Sequence, residues 1–278
     1  MGLLRPLSLR MSMVLTVAAA FTAVGCSLEP EPDERNQTIG YRSGTINDAY
    51  LSSGERGNVN ITEIHWAGSV ERVGDGYIHD PDDDFIELQN KHNRPMHFTR
   101  WMLEIETGHA MDTLPMDHTS RQTMRRLYIL PERSNGRPVE PNEFIVIARR
   151  RDGAFADADY FVEDLDLPDA PFSVTLRDLD ERLIDGAGDS RKPIFAGAWD
   201  TVTARSMERS QLLFNNRGDR DMSWHSYALN DFSVEEDAEL HQRVRVRVAE
   251  PFRERTLASP GFSNTPDYAG TFASGDFQ

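Results

Sequence analysis

Asp84-Phe85-Ile86-Glu87-Leu88-Gln89-Asn90 is the stretch that decides the fold class of this 278-residue chain. Phe85 and the Ile86/Leu88 pair alternate with polar side chains, which is the pattern of a half-buried β-strand. A turn rich in aspartate precedes the stretch at 80–84, and a polar turn follows it at 90–95. The sequence therefore predicts a short strand with a solvated acidic turn at its start.

Short apolar runs bounded by turn residues recur along the rest of the chain. The run at 144–148 is apolar on both faces and predicts a central strand, whereas 172–178 and 182–185 predict a hairpin. In 243–248 arginine alternates with valine, which predicts a strand with its valines toward the core and its arginines toward solvent. The other predicted strands lie at 59–66, 101–105, 127–130, 204–208 and 224–228. With about eight to ten strands and no long amphipathic helix, we expect an all-β chain that forms a β-sandwich with loop insertions.

The formal net charge of the chain is −16, and because residues 1–25 hold two arginines and no acid, the rest of the chain carries 28 − 46 = −18. Such a surface repels the phosphates of DNA and RNA, whose attraction to basic residues supplies most of non-specific nucleic-acid binding. The composition therefore disfavours a nucleic-acid partner.

The N-terminus has the composition of an export signal. Two arginines lie in residues 1–10, and an uncharged apolar stretch follows at 11–24. This stretch is shorter than the roughly 20 residues that a spanning helix needs. It ends at Ala23-Val24-Gly25-Cys26, which resembles a bacterial lipobox, although an ordinary signal peptide with a small-residue cleavage site is the alternative. We therefore predict a lipoprotein signal peptide at 1–25.

Cys26 is the only cysteine of the chain, so no internal disulfide is available to it. A thioether to membrane lipid accounts for a lone thiol in an exported protein, and several acyl chains hold a protein on a membrane firmly. Ser27 follows it, which by resemblance to sorting rules in Gram-negative bacteria favours the outer membrane. The prediction is a lipid anchor on Cys26, with the protein at the periplasmic face or at the cell surface.

The chain between the anchor and the first strand has the composition of a tether. Residues 26–57 are rich in proline, glycine, serine and acidic side chains and poor in large apolar ones. We predict a flexible linker there, one sandwich domain over 58–265 and a C-terminal tail over 266–278.

Seven short motifs of the predicted domain resemble those of the lamin-tail domain family and occur in the same order. They lie at 61–69, 84–90, 101–103, 140–144, 174–185, 206–209 and 259–264. The resemblance implies an immunoglobulin-like β-sandwich. In bacterial members it implies an exported module, commonly on surface lipoproteins or appended to secreted hydrolases. The family supplies no catalytic residue of its own.

Asp80, Asp82 and Asp84 are the acidic residues spaced most like metal ligands. A D-x-D-x-D pattern places oxygens as calcium loops do, but the glycine and glutamate of an EF-hand are missing. A solvated acidic turn is the alternative that we favour, so these residues are weak candidates for a metal site.

The insertion that contains His109, Asp112, Asp117 and His118 is the nearest approach to a histidine cluster. This insertion is the basis of an alternative prediction, that the protein is a metal-dependent exported hydrolase. The sequence lacks H-E-x-x-H, G-x-S-x-G and phosphate-loop motifs. We therefore expect no catalytic residue and no cofactor.

Arg243, Arg245 and Arg247 form a local positive stripe on an acidic protein. One interpretation is an edge strand whose charges prevent pairing with another chain. The other is a docking face for a protein or an anionic polymer of the cell envelope. The leading prediction from the sequence is thus a non-enzymatic, membrane-anchored lipoprotein that displays a lamin-tail sandwich as a binding or structural module.

Overall fold

Strand β4, Phe85–Asn90, forms where the sequence predicts it and lies inside a six-stranded sheet. The computed structural model describes residues 49–108, 124–210, 217–229 and 235–267. The chain divides into two units, Met1–Asp33 and Glu34–Gln278, and every described residue belongs to the second.

The described part of the chain contains fifteen strands and one α-helix. The strands are β1 Val59–His65, β2 Ser69–Val73, β3 Gly76–Asp80, β4 Phe85–Asn90, β5 Met102–Thr107, β6 Met124–Ile129, β7 Phe144–Ala148, β8 Tyr160–Phe161, β9 Phe172–Arg177, β10 Leu183–Gly188, β11 Ala198–Trp199, β12 Ala204–Arg205, β13 Met207–Arg209, β14 Trp224–Ser226 and β15 Thr256–Leu257. The helix, α1, spans Glu235–Val244, and a single 3-10 turn spans Asp221–Ser223. Across the described ranges, no helix has both the length and the apolarity needed to cross a membrane.

Two sheets form the layers of a β-sandwich. The large sheet has the order β14-β13-β1-β4-β7-β8, and the small sheet has the order β10-β9-β5-β6. A three-stranded sheet, β11-β12-β15, and the hairpin β2-β3 complete the strand pairing of the described residues. The chain is therefore an all-β sandwich, as the sequence predicts.

The main core lies between the two layers. Trp101 is completely buried there, and Trp66 and Trp224 belong to the same cluster. Alternate side chains of both sheets fill the rest: Ile61, Ile64, Ile86, Leu88, Ile145 and Ile147 from the large sheet, and Leu103, Ile105, Tyr128, Val174, Leu176 and Ile184 from the small one. Burial of these side chains is the main source of stability of the sandwich.

A β-bulge in β1 decides which side chains reach this core. Ile61 is paired with Leu88, but Glu63 is paired with Glu87, so the register moves by one residue between them. An extra residue of this kind changes which face the following side chains occupy. As a result Ile61 and Ile64 both face the core, and Glu63 lies on the opposite face of the large sheet.

That opposite face of the large sheet is also covered. Phe85 lies there, in a second apolar cluster with Val146 and Phe155, and Val248 and Phe252 from the C-terminal part of the chain close it. Every residue of β4 is consequently buried. The sequence predicts a half-buried strand at 84–90, and this is wrong because a third layer of chain covers the other face of the sheet.

The strand predicted at 243–248 does not form. Val244 is the last residue of α1, and the chain continues in turns rather than in a strand. Val244 and Val248 are buried at 1% and 0% exposure, whereas Val246 is 56% exposed. Valines four residues apart share one face of a helical turn, so packing on that face overrides the alternating pattern.

The folded domain begins earlier than the predicted boundary at residue 58. Tyr50 is buried in the main core, and it forms backbone hydrogen bonds to Pro95 and His97. The indole Nε1 of Trp101 donates to the Leu51 carbonyl oxygen over 2.7 Å. Residues 49–57 therefore belong to the sandwich, because one tyrosine and two backbone carbonyls are enough to hold this otherwise polar segment.

Candidate functional site

A surface pocket lies between the β2–β3 hairpin and the β11–β12 turn. We call it the hairpin pocket, and its volume is about 310 Å³. It is lined by Val70, Tyr77, His79, Trp199, Thr201, Val202 and Arg255. This volume lies at the lower end of the range for small-molecule sites, and aromatic walls with a few polar groups are typical of such sites.

His79 and Trp199 form the most ordered wall of the hairpin pocket. Their rings are stacked with centroids 3.8 Å apart and planes 7° apart. His79 Nε2 is 2.9 Å from the Ala67 carbonyl oxygen, which fixes the imidazole ring. Because the imidazole covers one face of the indole, the orientation of Trp199 is fixed before any ligand arrives.

Tyr77 and Arg255 form the charged side of the pocket. The Arg255 guanidinium carbon lies 4.7 Å from the centre of the Tyr77 ring, a cation–π arrangement. The Tyr77 hydroxyl donates to Glu254 Oε1 over 2.5 Å. Arg72 Nη1 is 3.4 Å from Glu254 Oε2, and Arg255 Nε is 3.9 Å from Glu254 Oε1. One carboxylate therefore serves two guanidinium groups at this edge.

The turn that supplies Thr201 and Val202 is held by Asp200. Its Oδ1 accepts hydrogen bonds from the Val202 and Thr203 amides over 2.9 and 2.6 Å. Its Oδ2 accepts from the Thr203 hydroxyl over 2.8 Å. An aspartate that caps its own turn in this way fixes the rim of the pocket.

Three buried glutamates form a row across the other covered face of the large sheet. Glu63 on β1 is the cross-strand partner of Glu87 on β4 and of Glu208 on β13. All three residues, which we call the glutamate row, have 0% exposure. Like charges on neighbouring strands are destabilising, so the row needs neutralising contacts.

Residues 259–265, which we call the closing segment, supply most of these contacts. The Ser259 amide donates to Glu63 Oε1 over 2.9 Å, and the Gly261 amide donates to Glu87 Oε2 over 2.6 Å. The Thr265 amide donates to Glu208 Oε2 over 3.1 Å, and the Thr265 hydroxyl donates to the same oxygen. Buried carboxyl groups thus attach the end of the chain to the middle of the sheet.

The number of donors limits how many of these glutamates are ionised. The Ser259 Oγ lies 2.6 Å from Glu208 Oε1 and 3.2 Å from Glu63 Oε2, but a hydroxyl has one proton to donate. Burial raises the pKa of Glu63 to about 7. Burial, with the repulsion of Glu63 added, raises the pKa of Glu208 to about 8 and that of Glu87 well above its ordinary value. The row therefore retains protons near neutral pH, which relieves the repulsion.

The glutamate row performs a structural task. Its members are sealed from solvent, and their hydrogen bonds go to backbone amides and hydroxyls of the fold itself. A carboxyl group with no path to a substrate cannot act as a general acid or base.

Arg209, which follows Glu208, has a different buried partner. Its Nη1 donates to Asp185 Oδ2 and, over 3.0 Å, to the Ile61 carbonyl oxygen. Asp185 Oδ2 also accepts the Ile61 amide over 2.9 Å. This pair links β13 to β10 and so connects the large sheet to the small one.

The structure does not bring Asp80, Asp82 and Asp84 together. Asp80 is paired with Arg150, and Asp82 Oδ1 is 2.8 Å from Arg149 Nη1. Asp84 is 1% exposed and accepts the Leu167 amide over 3.2 Å. Asp83, also buried, accepts from the Ser69 hydroxyl and the Ala154 amide. The predicted solvated turn is therefore wrong for its second half, because those carboxylates cap the loop at 149–167.

No group of three or more histidine, cysteine, aspartate or glutamate side chains within the described ranges is placed to hold a metal ion. The insertion with the candidate metal ligands lies outside the described residues; these ligands are His109, Asp112, Asp117 and His118. Cys26, the predicted signal peptide at 1–25 and the tail from 268 onward also lie outside them.

The three arginines of the predicted positive stripe do not lie side by side on one exposed surface. Arg243 is exposed at the end of α1, whereas Arg245 is only 6% exposed. Arg247 Nη2 donates to Asp159 Oδ2 over 3.1 Å. The docking face predicted from Arg243, Arg245 and Arg247 is therefore wrong as a surface, because α1 and the turns after it point the three side chains to different environments.

Sequence reasoning missed the hairpin pocket altogether. Tyr77, His79 and Trp199 are far apart in the sequence, and β2, β3 and β11 were not among the predicted strands. Glycine and aspartate at 74–76 are a local hairpin signal between two short runs, and they could have placed Tyr77 on a strand. No local pattern indicates that Trp199 stacks on His79.

No protein-family model matches the chain, and no curated protein shows significant similarity to it.

Proposed function

We propose that this protein is an exported lipoprotein, anchored through Cys26 to the outer membrane, whose β-sandwich is a non-catalytic binding module of the cell envelope. In this proposal the sandwich is of the lamin-tail, immunoglobulin-like type. The observation that carries it is the contrast between two parts of the domain. Its buried carboxyl groups serve the fold, while a pocket with aromatic walls and a guanidinium group opens on the surface.

The motifs that resemble the lamin-tail family support the proposed fold type through their contacts. Glu87 from the strand motif accepts the amide of Gly261 from the closing motif. Asn264 from the closing motif donates to the carbonyl oxygens of Thr62 and Arg209 over 2.8 and 2.9 Å. Motif residues distant in sequence thus depend on each other, which is a reason for them to occur together.

The anchor rests on the sequence around Cys26, the single cysteine of the chain. The experiment is mass spectrometry of the N-terminal peptide of the mature protein, combined with membrane fractionation of the wild type and of Cys26→Ser. We expect acyl mass on Cys26, and we expect the substitution to release the protein from the membrane fraction. A mature N-terminus without acyl mass, or a Cys26→Ser protein that stays in the membrane pellet, contradicts the proposal.

A further inference from the structure

We propose that the hairpin pocket binds an acidic sugar residue, with the sugar ring packed on Trp199 and its carboxylate paired with Arg255. This inference rests on the binding role proposed above and gives that role a ligand class. The ligand is one uronic acid unit of an anionic polysaccharide.

The aromatic wall carries the first half of the inference. A sugar ring has an apolar face of C–H groups, and the negative face of an aromatic ring attracts their partial positive charge. Trp199 stacks on His79 with ring centroids 3.8 Å apart and also packs against the main core, and both rings line the pocket, so the wall that they form is held in place. A fixed platform loses little conformational freedom when a ligand stacks on it.

The charge of the pocket carries the second half. Arg255 is the arginine of the pocket lining, where it contacts the Tyr77 ring and forms a long ion pair with Glu254. Its nearest carboxylate oxygen, on Glu254, is at 3.9 Å, and Glu254 is shared with Arg72 and with the Tyr77 hydroxyl. A guanidinium group that is engaged only in a long ion pair matches a carboxylate, which accepts two parallel hydrogen bonds.

The rest of the lining limits what else the ligand can be. Val70 and Val202 are apolar and Thr201 offers one hydroxyl, so the pocket suits a ring with one charged group rather than a highly charged molecule. At about 310 Å³ it accommodates a single unit. Val202 and Tyr77 are 49% and 42% exposed, so the pocket opens to solvent at these two residues.

Trigalacturonic acid and its methyl ester are the matched probes, because the ester keeps the sugar rings and replaces each carboxylate with an uncharged group. Isothermal titration calorimetry of the full chain in detergent micelles measures both affinities. Tryptophan fluorescence gives a local readout, because Trp66, Trp101 and Trp224 are at most 9% exposed and Trp199 is partly exposed. We expect the acid to bind, to change the fluorescence, and to bind about tenfold or more tightly than the ester.

Arg255→Gln removes the charge and keeps most of the side-chain length. We expect it to weaken binding of the acid about tenfold or more while leaving binding of the ester unchanged. Arg177→Gln is the matched control, since Arg177 lies on the small sheet with a similarly exposed side chain. Near-UV circular dichroism and the melting temperature of each variant show whether it is folded.

Equal affinity for acid and ester, an unchanged affinity in folded Arg255→Gln, or no binding of either probe would overturn the ligand assignment. These outcomes are separate from the test of the anchor. An acylated, membrane-held chain that does not prefer the acid contradicts the ligand class alone. A chain without acyl mass contradicts the anchored lipoprotein and leaves the binding result interpretable.

Discussion

Glu63 and Glu87 are direct cross-strand partners on β1 and β4, and both are completely buried. Each accepts a backbone amide of the closing segment, from Ser259 and Gly261 respectively. The sandwich therefore depends on protons held by its interior and on the last described residues of the chain.

The first prediction concerns pH. The folded pKa values of the glutamate row are raised above the ordinary 4.5, to about 7 for Glu63 and about 8 for Glu208. The folded state therefore binds more protons than the unfolded state between pH 4.5 and these folded pKa values, so the stabilisation by the two glutamates is complete below pH 4.5 and is lost as pH rises through 7 and 8. For each such glutamate we expect the free energy of unfolding to fall by up to about 1.4 kcal/mol per pH unit below its folded pKa, with a shallower slope above it.

Urea unfolding at pH 6.5, 7, 7.5 and 8 measures this slope. Buried His65, whose pKa is lowered to about 4 by burial, acts in the opposite direction, but only below pH 6.5. The chosen window therefore isolates the acidic groups. A free energy of unfolding that is constant or rises across this window contradicts the prediction.

The second prediction is that Glu63→Gln stabilises the protein at pH 8. The amide oxygen still accepts the Ser259 amide, and the new NH₂ group donates to a neighbouring carboxylate instead of repelling it. We expect a gain of about 1–2 kcal/mol at pH 8 and a shallower pH slope. Glu132→Gln, at an exposed position, is the control and should leave both unchanged. Destabilisation of Glu63→Gln at pH 8 would show that the row is ionised and compensated.

The third prediction concerns the buried pair of Asp185 and Arg209, both 5% exposed. Asp185→Ala leaves the Arg209 guanidinium and the Ile61 amide without their acceptor. We expect a loss of about 3–5 kcal/mol in the free energy of unfolding. Asp219→Ala breaks the exposed pair with Arg217 and should cost about 1 kcal/mol or less. Similar effects of the two substitutions in urea unfolding would argue against a buried ion pair.

The fourth prediction tests the conformation of residues 244–248. Val248 is fully buried against Phe85 and Phe252, so Val248→Ala should destabilise the protein by about 1–2 kcal/mol. Val246 is exposed, and Val246→Ala should change stability by about 0.5 kcal/mol or less. Chemical denaturation separates the two cases. A regular strand with all its valines toward the core would make both substitutions costly.

Strands with locally complete signals could be predicted from the sequence. β4 and β7 are apolar runs bounded by turn residues. The β9–β10 hairpin has typical turn residues between its two strands, at Asp178 to Glu181. The third layer over Phe85 could not be predicted in this way. Residues 245–252 have no local property that says which sheet they will cover, and the valine pattern was misleading because burial on one helical face outweighed alternation.

The glutamate row shows the same limit more sharply. Glu87 and Glu208 were recognisable as carboxyl groups beside apolar residues, and their place in the strand motifs was visible. Glu87 and Glu208 lie beside Glu63 because of the bulge in β1 and because β13 is the neighbour of β1 in the sheet. Register and strand order are set by contacts between residues far apart in sequence, so no inspection of neighbouring residues reveals them.

The bonds between the closing segment and the glutamate row have a consequence for the order of folding. Ser259 and Glu63 are 196 positions apart, so a chain still emerging from the ribosome cannot join them until residue 259 is free. Before that moment the three carboxyl groups face water, ionise and oppose the assembly of the central strands. The large sheet thus completes its folding only after residues 259–265 have been synthesised.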